Sequence, residues 1–183
     1  MNEYIDIVDH NGIPTGVAVP KSEIHAKGHL HNTAHVWLYN AEGEILLQQR
    51  SSKKIICPLL WDVSVAGHVD AGETPKQAAK REAKEEIGID LSAVELKKIG
   101  VFECFQSYEN GIQDNELHNT YIAKIESSIS DLHPQPNEVE ALKYVSINTF
   151  ESLLEKSGDN NHFIPSNKAY YLKVLEAIKS ELK

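Results

Sequence analysis

With 183 residues, 41% of them hydrophobic and 25% charged, the chain is long enough for one well-buried core and too short for two ordinary domains. A formal net charge of −9 and no basic stripe argue against a nucleic-acid polymer as partner, and no run approaches the ~18 apolar residues of a membrane span. Cys57 and Cys104 are too few for a disulfide framework and lack zinc or redox spacing, so both are expected to be reduced packing residues.

The N-terminal MNEYIDIVDH lacks the basic and apolar regions of a signal peptide, so a cytoplasmic location is expected. Tyr4 to Asp9 alternates, His10-Asn11-Gly12 supplies turn chemistry and Val17 to Val19 is extended, which predicts an N-terminal hairpin. After a polar, His-rich connection, Ala34 to Tyr39 and Glu44 to Gln49 flank the turn Asn40 to Gly43 and predict a second hairpin. Trp61 to Ala66 reads as a strand leading into a loop and a helix. Leu96 to Ser107, Glu116 to Ile125 and Leu142 to Ile147 read as further strands, and Asn148 to Lys156 and Lys168 to Leu182 as helices. Hairpins with few βαβ units predict a mixed sheet covered by helices on two faces, an α/β fold.

Chemistry concentrates between Gly67 and Ile89. Thr74 is a good N-cap, Pro75 suits the first helical position, Gln77 completes a capping box and Gly88 suits the C-terminal cap. Helical spacing of three and four puts Glu82, Glu85 and Glu86 on one face, with Ala79, Ala83 and Ile87 on the adjacent apolar stripe. Arg81 pairs naturally with Glu85, but one arginine does not neutralise Glu73, Glu82, Glu85 and Glu86 together. A divalent cation with oxygen ligands does, and carboxylates suit Mg²⁺ (or Mn²⁺) better than Zn²⁺. A solvated acidic face is the ordinary reading of E-x-x-E-E alone. The full run recurs by chance with a probability of roughly 10⁻⁶, which sets that reading aside.

The run closely resembles the Nudix signature G-x5-E-x7-R-E-U-x-E-E-x-G-U, departing only at Ala83, where a bulky aliphatic residue is usual. That resemblance implies an α/β/α sandwich with a mixed sheet. It also frames one domain over 1–183, with a hairpin extension at about 1–27, the core at about 28–156 and a C-terminal helix at about 166–182. It implies a metal held by Glu82, Glu85, Glu86 and the Gly67 carbonyl, with Glu85 or Glu82 as general base, Arg81 orienting the carboxylates and Glu73 in an outer position. In some members the base lies outside the run, which keeps Glu116 and Glu138 as candidates.

H-N-T-A-H-V-W-L-Y-N from His31, L-L-Q-Q-R-S from Leu46 and P-L-L-W-D-V-S-V-A-G-H-V from Pro58 resemble type I isopentenyl-diphosphate isomerase and its hydrolase relatives. That family uses a metal site of histidines and acidic residues. His31 and His68 match two of its histidines, His25 lies within a residue of a third, and Asp114 and Glu116 fall at the acidic positions. Its cysteine position holds Ala66, whose methyl neither donates nor accepts a proton, so hydrolysis is favoured over isomerisation. A non-catalytic nucleotide-binding sensor is disfavoured by the nearly complete run.

The expected substrate is a small-molecule diphosphate, met by His31, Arg50 and His68, with Lys53 and Lys54 as further cations. His31 and His68 serve in this reading as phosphate donors or second-metal ligands, whereas His35 reads as a structural histidine. Trp37, Trp61 and Phe102 read as packing residues. The hairpin and the C-terminal helix are the candidate homodimer surfaces, with Tyr170 and Tyr171 read as core or dimer surface.

Overall fold

The computed structural model describes residues 3–183. Tyr4–Val8 (β1) and Pro14–Pro20 (β2) form the expected N-terminal hairpin as a separate two-stranded antiparallel sheet. Its Ile13 and Val17 are exposed, as is Leu172 on the C-terminal helix.

The main sheet has seven strands: His31–Tyr39 (β3), Glu44–Arg50 (β4), Trp61–Asp62 (β5), Val65–His68 (β6), Lys97–Ser107 (β7), Gln113–Lys124 (β8) and Val139–Ser146 (β9). β3 runs parallel to β8 and antiparallel to β6, while β4 pairs antiparallel with β5 and β9, so the sheet is mixed as expected. Ala34, Val36 and Leu38 of β3 pack with Ala78, Ala79, Ala83 and Ile87 of the helix Pro75–Ile87 (α2) on one face. On the other, Trp37 and Tyr39 pack with Ile147–Glu155 (α3) and Lys168–Glu181 (α4). Alternation along one strand thus fills two cores and produces a helix–sheet–helix sandwich.

Two expectations about the strands are corrected. β3 and β4 pair as a hairpin only at Tyr39 and Ile45, beside their turn. Ser64 stands between them: its hydroxyl accepts the Leu38 N–H at 2.9 Å and donates to the Leu46 carbonyl. For the same reason Trp61 to Ala66 is two short pieces instead of one strand. β5 belongs to β4, β6 belongs to β3, and Ser64 supplies the hydrogen bonds at the crossing.

The connection before β3 contains a helix that the sequence pattern did not announce, Lys21–Lys27 (α1). It has one buried apolar residue, Ile24, and no side-chain N-cap, so neither periodicity nor capping marks it. Ile24 packs with Ile5 and Val19. Gly28 ends α1 at φ 62°, and its carbonyl accepts from Asn115 Nδ2 at 2.7 Å. The left-handed φ favours glycine here, and a Cβ would stand 2.2 Å from Gln113 Oε1, so that side chain would have to shift.

Candidate active site

α2 begins as its sequence dictates. Thr74 Oγ1 accepts from Gln77 N–H at 3.3 Å, Gln77 Oε1 accepts from Thr74 N–H at 2.9 Å, and Gly88 closes the helix at φ 73°. This fixes the rotation of α2, and with it the direction of the three glutamates.

Arg81 is the hub. Its guanidinium donates to Glu73 at 2.9 and 3.2 Å, to Glu82 Oε1 at 2.8 Å, to Glu85 Oε2 at 3.1 Å and to the His68 carbonyl at 2.9 Å. Burial works against its charge, but the bonds to Glu73 and Glu82 prevail and hold it further above its ordinary value. Glu73 is therefore a positioning group for Arg81, and β6 is tied to α2 through the same side chain.

Glu86 has no such cation. It is enclosed, accepts the Ala66 N–H at 3.2 Å, and is pushed up to about 8 by burial and by the neighbouring charge of Glu82. Burial also raises Glu82, in spite of Arg81. Glu85 is the exposed member at 59%. A Cβ at Gly67 would stand 2.1 Å from Glu82 Cδ, so this glycine allows the β6 backbone to meet the carboxylates. Two carboxyls held above their ordinary values, beside an oxygen-lined backbone, are what a hard divalent cation would relieve; the donor set fits Mg²⁺ or Mn²⁺.

A second group forms where α1, β3, β6 and β8 converge. Donor atoms of His25, His31 and His68 all lie within 4.8 Å of one another, with His25 Nε2 and His68 Nε2 3.1 Å apart. Asp114 Oδ1 is 2.7 Å from His25 Nδ1, and Glu116 Oε1 is 3.5 Å from His31 Nε2. His25 Nδ1, His31 Nε2 and Asp114 Oδ1 are nevertheless buried without an aligned hydrogen-bond partner, a costly arrangement for polar atoms. Burial drives His68 well below its ordinary value, into the neutral form that binds metals, whereas Glu116 raises His31 against its burial.

Both groups open on one cavity of ≈ 570 Å³. Arg50, Lys53, Lys54 and Glu138 are on its walls with Glu82, Glu85, Glu86, His25, His68 and Glu116, and Lys54 pairs with Glu138. Arg50 Nε donates to the Ile56 carbonyl at 3.1 Å, which anchors the loop after β4. His31 differs: it is fully enclosed, with Nδ1 on the His29 carbonyl at 2.9 Å, and is not part of the cavity wall. Of its two expected roles, this placement fits the metal ligand and not the phosphate donor.

Sequence reasoning missed several wall residues: His118, Asp62, Tyr170 and Cys104, and a site role for His35. One signal was present in the pattern Glu116-x-His118, since a strand's period of two puts both on one face. Cys104 pairs with Glu116 across β7 and β8, a register invisible in the sequence. Trp37 is packed as expected, and of the core and dimer-surface readings of Tyr170 and Tyr171 their burial fits the core.

The arrangement of α2, Arg81 and Gly67 is accompanied by a match of residues 29–166 to the NUDIX domain. The chain belongs to the Nudix family. This Nudix protein is 36% identical over 165 residues to Nudix hydrolase 3 of Arabidopsis thaliana, covering 84% of this chain but 20% of that much longer one. It is 34% identical to an uncharacterised Nudix hydrolase of Listeria monocytogenes, covering 94% and 96% of the two chains. It is also 34% identical to an isopentenyl-diphosphate delta-isomerase of Pectobacterium atrosepticum, over 77% and 75%. The fold is shared with a Deinococcus radiodurans protein of known structure, at a TM-score of 0.68, 20% identity and coverage of 87% and 91%. Among the described residues no helix is long and apolar enough to cross a membrane.

Proposed function

We propose that this Nudix protein is a Mg²⁺- or Mn²⁺-dependent hydrolase that cleaves the diphosphate linkage of a small organic or nucleoside diphosphate in the cytoplasm. The observation that carries the reading is the Arg81-centred carboxylate set of α2, opening on the same cavity as Arg50, Lys53 and Lys54. Glu82, Glu85, Glu86 and the Gly67 carbonyl would hold the metal, which when bound polarises phosphoryl oxygens and lowers the pKa of a coordinated water.

The chain's own residues do the rest. Arg81 orients Glu82 and Glu85, and Glu73 holds Arg81 in place. Glu85, exposed to the cavity, takes the proton from the attacking water; Glu82, pinned between Arg81 and Gly67, is less free to move. Glu116 is a poorer candidate base, because His118 and His31 hold it well below the usual carboxylate range against its burial. Arg50, Lys53 and Lys54 receive the phosphates, and His68 stands at the cavity's histidine end.

Some relatives bear the isomerase name, and the group His25, His31 and His68 fits a second metal ion. Ala66, on the cavity wall, offers no proton where that family has its cysteine. A screen of nucleoside diphosphate sugars, dinucleotide polyphosphates, nucleoside triphosphates and prenyl diphosphates, read by phosphate release, tests the reading. Metal-dependent release from at least one class is expected; formation of the dimethylallyl isomer from isopentenyl diphosphate, with no hydrolysis of any class, would overturn it.

A further inference from the structure

On the cavity side of β3 and β8, beyond the three-histidine group, lie two further imidazoles and a carboxylate. One donor atom from each of His35, Glu116 and His118 falls within 4.8 Å of the other two. β3 and β8 run parallel with His31 beside Glu116 and His35 beside Thr120, so a period of two lines these residues up along one face.

Glu116 stands between the two groups and turns one oxygen to each. Oε1 is 3.5 Å from His31 Nε2, and Oε2 is 2.8 Å from His118 Nε2. We propose that His35, Glu116 and His118 bind a divalent transition-metal ion, and that the Glu116 carboxylate bridges it to an ion held by His25, His31 and His68.

The surroundings orient His35 for this task. Its Nδ1 is 2.9 Å from the Tyr170 hydroxyl, which also accepts the Trp37 Nε1–H at 2.8 Å. On the neighbouring strand, Thr120 Oγ1 donates to the His118 carbonyl at 3.1 Å. With Nδ1–H directed at the Tyr170 oxygen, Nε2 of His35 keeps its lone pair for a metal. A polar neighbour fixing the tautomer of a ligating imidazole is a recurrent feature of metal sites. Burial keeps His35 well below its ordinary value, in the neutral form. Its ring stacks on that of His118 with centroids 3.9 Å apart, an arrangement that would be repulsive if both were charged.

His118 Nε2 and Glu116 Oε2 already face one another at 2.8 Å, with a His35 donor atom in reach of both. Two imidazoles and one carboxylate suit Zn²⁺, Fe²⁺, Co²⁺ or Mn²⁺ better than Mg²⁺ and leave positions open toward the cavity for a substrate oxygen. The site itself does not depend on which diphosphate is cleaved; the bridge rests on the three-histidine group also binding a metal.

The test is metal content, with no turnover involved. Protein is loaded with Co²⁺ in excess Mg²⁺, which occupies the α2 carboxylates, then dialysed and measured by elemental analysis and electron paramagnetic resonance. Wild type is expected to keep two Co²⁺ per chain with magnetic coupling between them. H118A and H35Q are each expected to lose one equivalent and the coupling, with the other ion retained. H35Q keeps an amide able to bond Tyr170, so it decides the matter if H118A does not fold. A single ion in wild type, or two coupled ions in a folded H35Q, would overturn the proposal.

Discussion

The α2 carboxylates and the histidines of β3, β6 and β8 face one cavity but are assembled by opposite means. Glu82, Glu85 and Glu86 converge because they share one helix, and Arg81 from that helix supplies most of their fixed bonds. His25, His31 and His68 come from α1, β3 and β6, so their approach depends on the Gly28 contact, the β3–β6 register and the parallel pairing of β3 with β8. The convergence of the first group is set within one helix. The second exists only once the sheet is complete, and it leaves His25 Nδ1 and His31 Nε2 buried without an aligned hydrogen-bond partner.

The largest effect is expected at Glu85. E85Q is expected to lower turnover by about 10²–10⁴, the usual contribution of a general base, with thermal stability nearly unchanged because the side chain is exposed. Turnover equal to wild type in E85Q would move the proton transfer away from α2 and toward the histidine side.

Next in size is the pH response of Glu86. Its carboxyl titrates near 8 in the fold against an ordinary 4.5, so the folded state binds the proton more tightly. Its stabilising contribution is therefore complete below pH 4.5 and is lost as pH rises toward 8, by a few kcal/mol. In chelator, thermal unfolding should shift downward across that window. Added Mg²⁺ should raise Tm more at pH 8 than at pH 5; an equal rise at both would detach Glu86 from the metal.

G67A sharpens the contrast between the groups, because its Cβ would collide with the Glu82 carboxyl on α2. A loss of about 10- to 100-fold in Mg²⁺ affinity is expected by titration calorimetry, as for other disturbed supports of metal ligands. Unaltered Mg²⁺ affinity would show that Glu82 relaxes freely. The smallest effect belongs to T74A, which removes the hydroxyl capping Gln77 N–H and should cost about 1 kcal/mol, read as a lower Tm with the metal affinity retained.

The extent to which the chain could be read follows the same division. The capping box, the helix limits at Thr74 and Gly88 and the carboxylate face are local patterns, and each is realised. The strands were legible as segments, but their pairing was not: Ser64 splits β3 from β4 and divides Trp61 to Ala66 between two neighbours. α1 escaped because a seven-residue helix with one buried side chain carries too little periodicity to notice. The cavity roles of His35, His118 and Cys104 were hidden for a related reason, since neither register nor packing of α4 is written in any one segment.

By itself the sequence determined the carboxylate helix, because 3.6-residue geometry converts spacing directly into a shared face. Only the tertiary structure decided that a second group of ligands meets it across one cavity, with Glu116 facing two sets of histidines. Sheet register and the seating of α1 set those distances, and both result from long-range packing that no local pattern encodes.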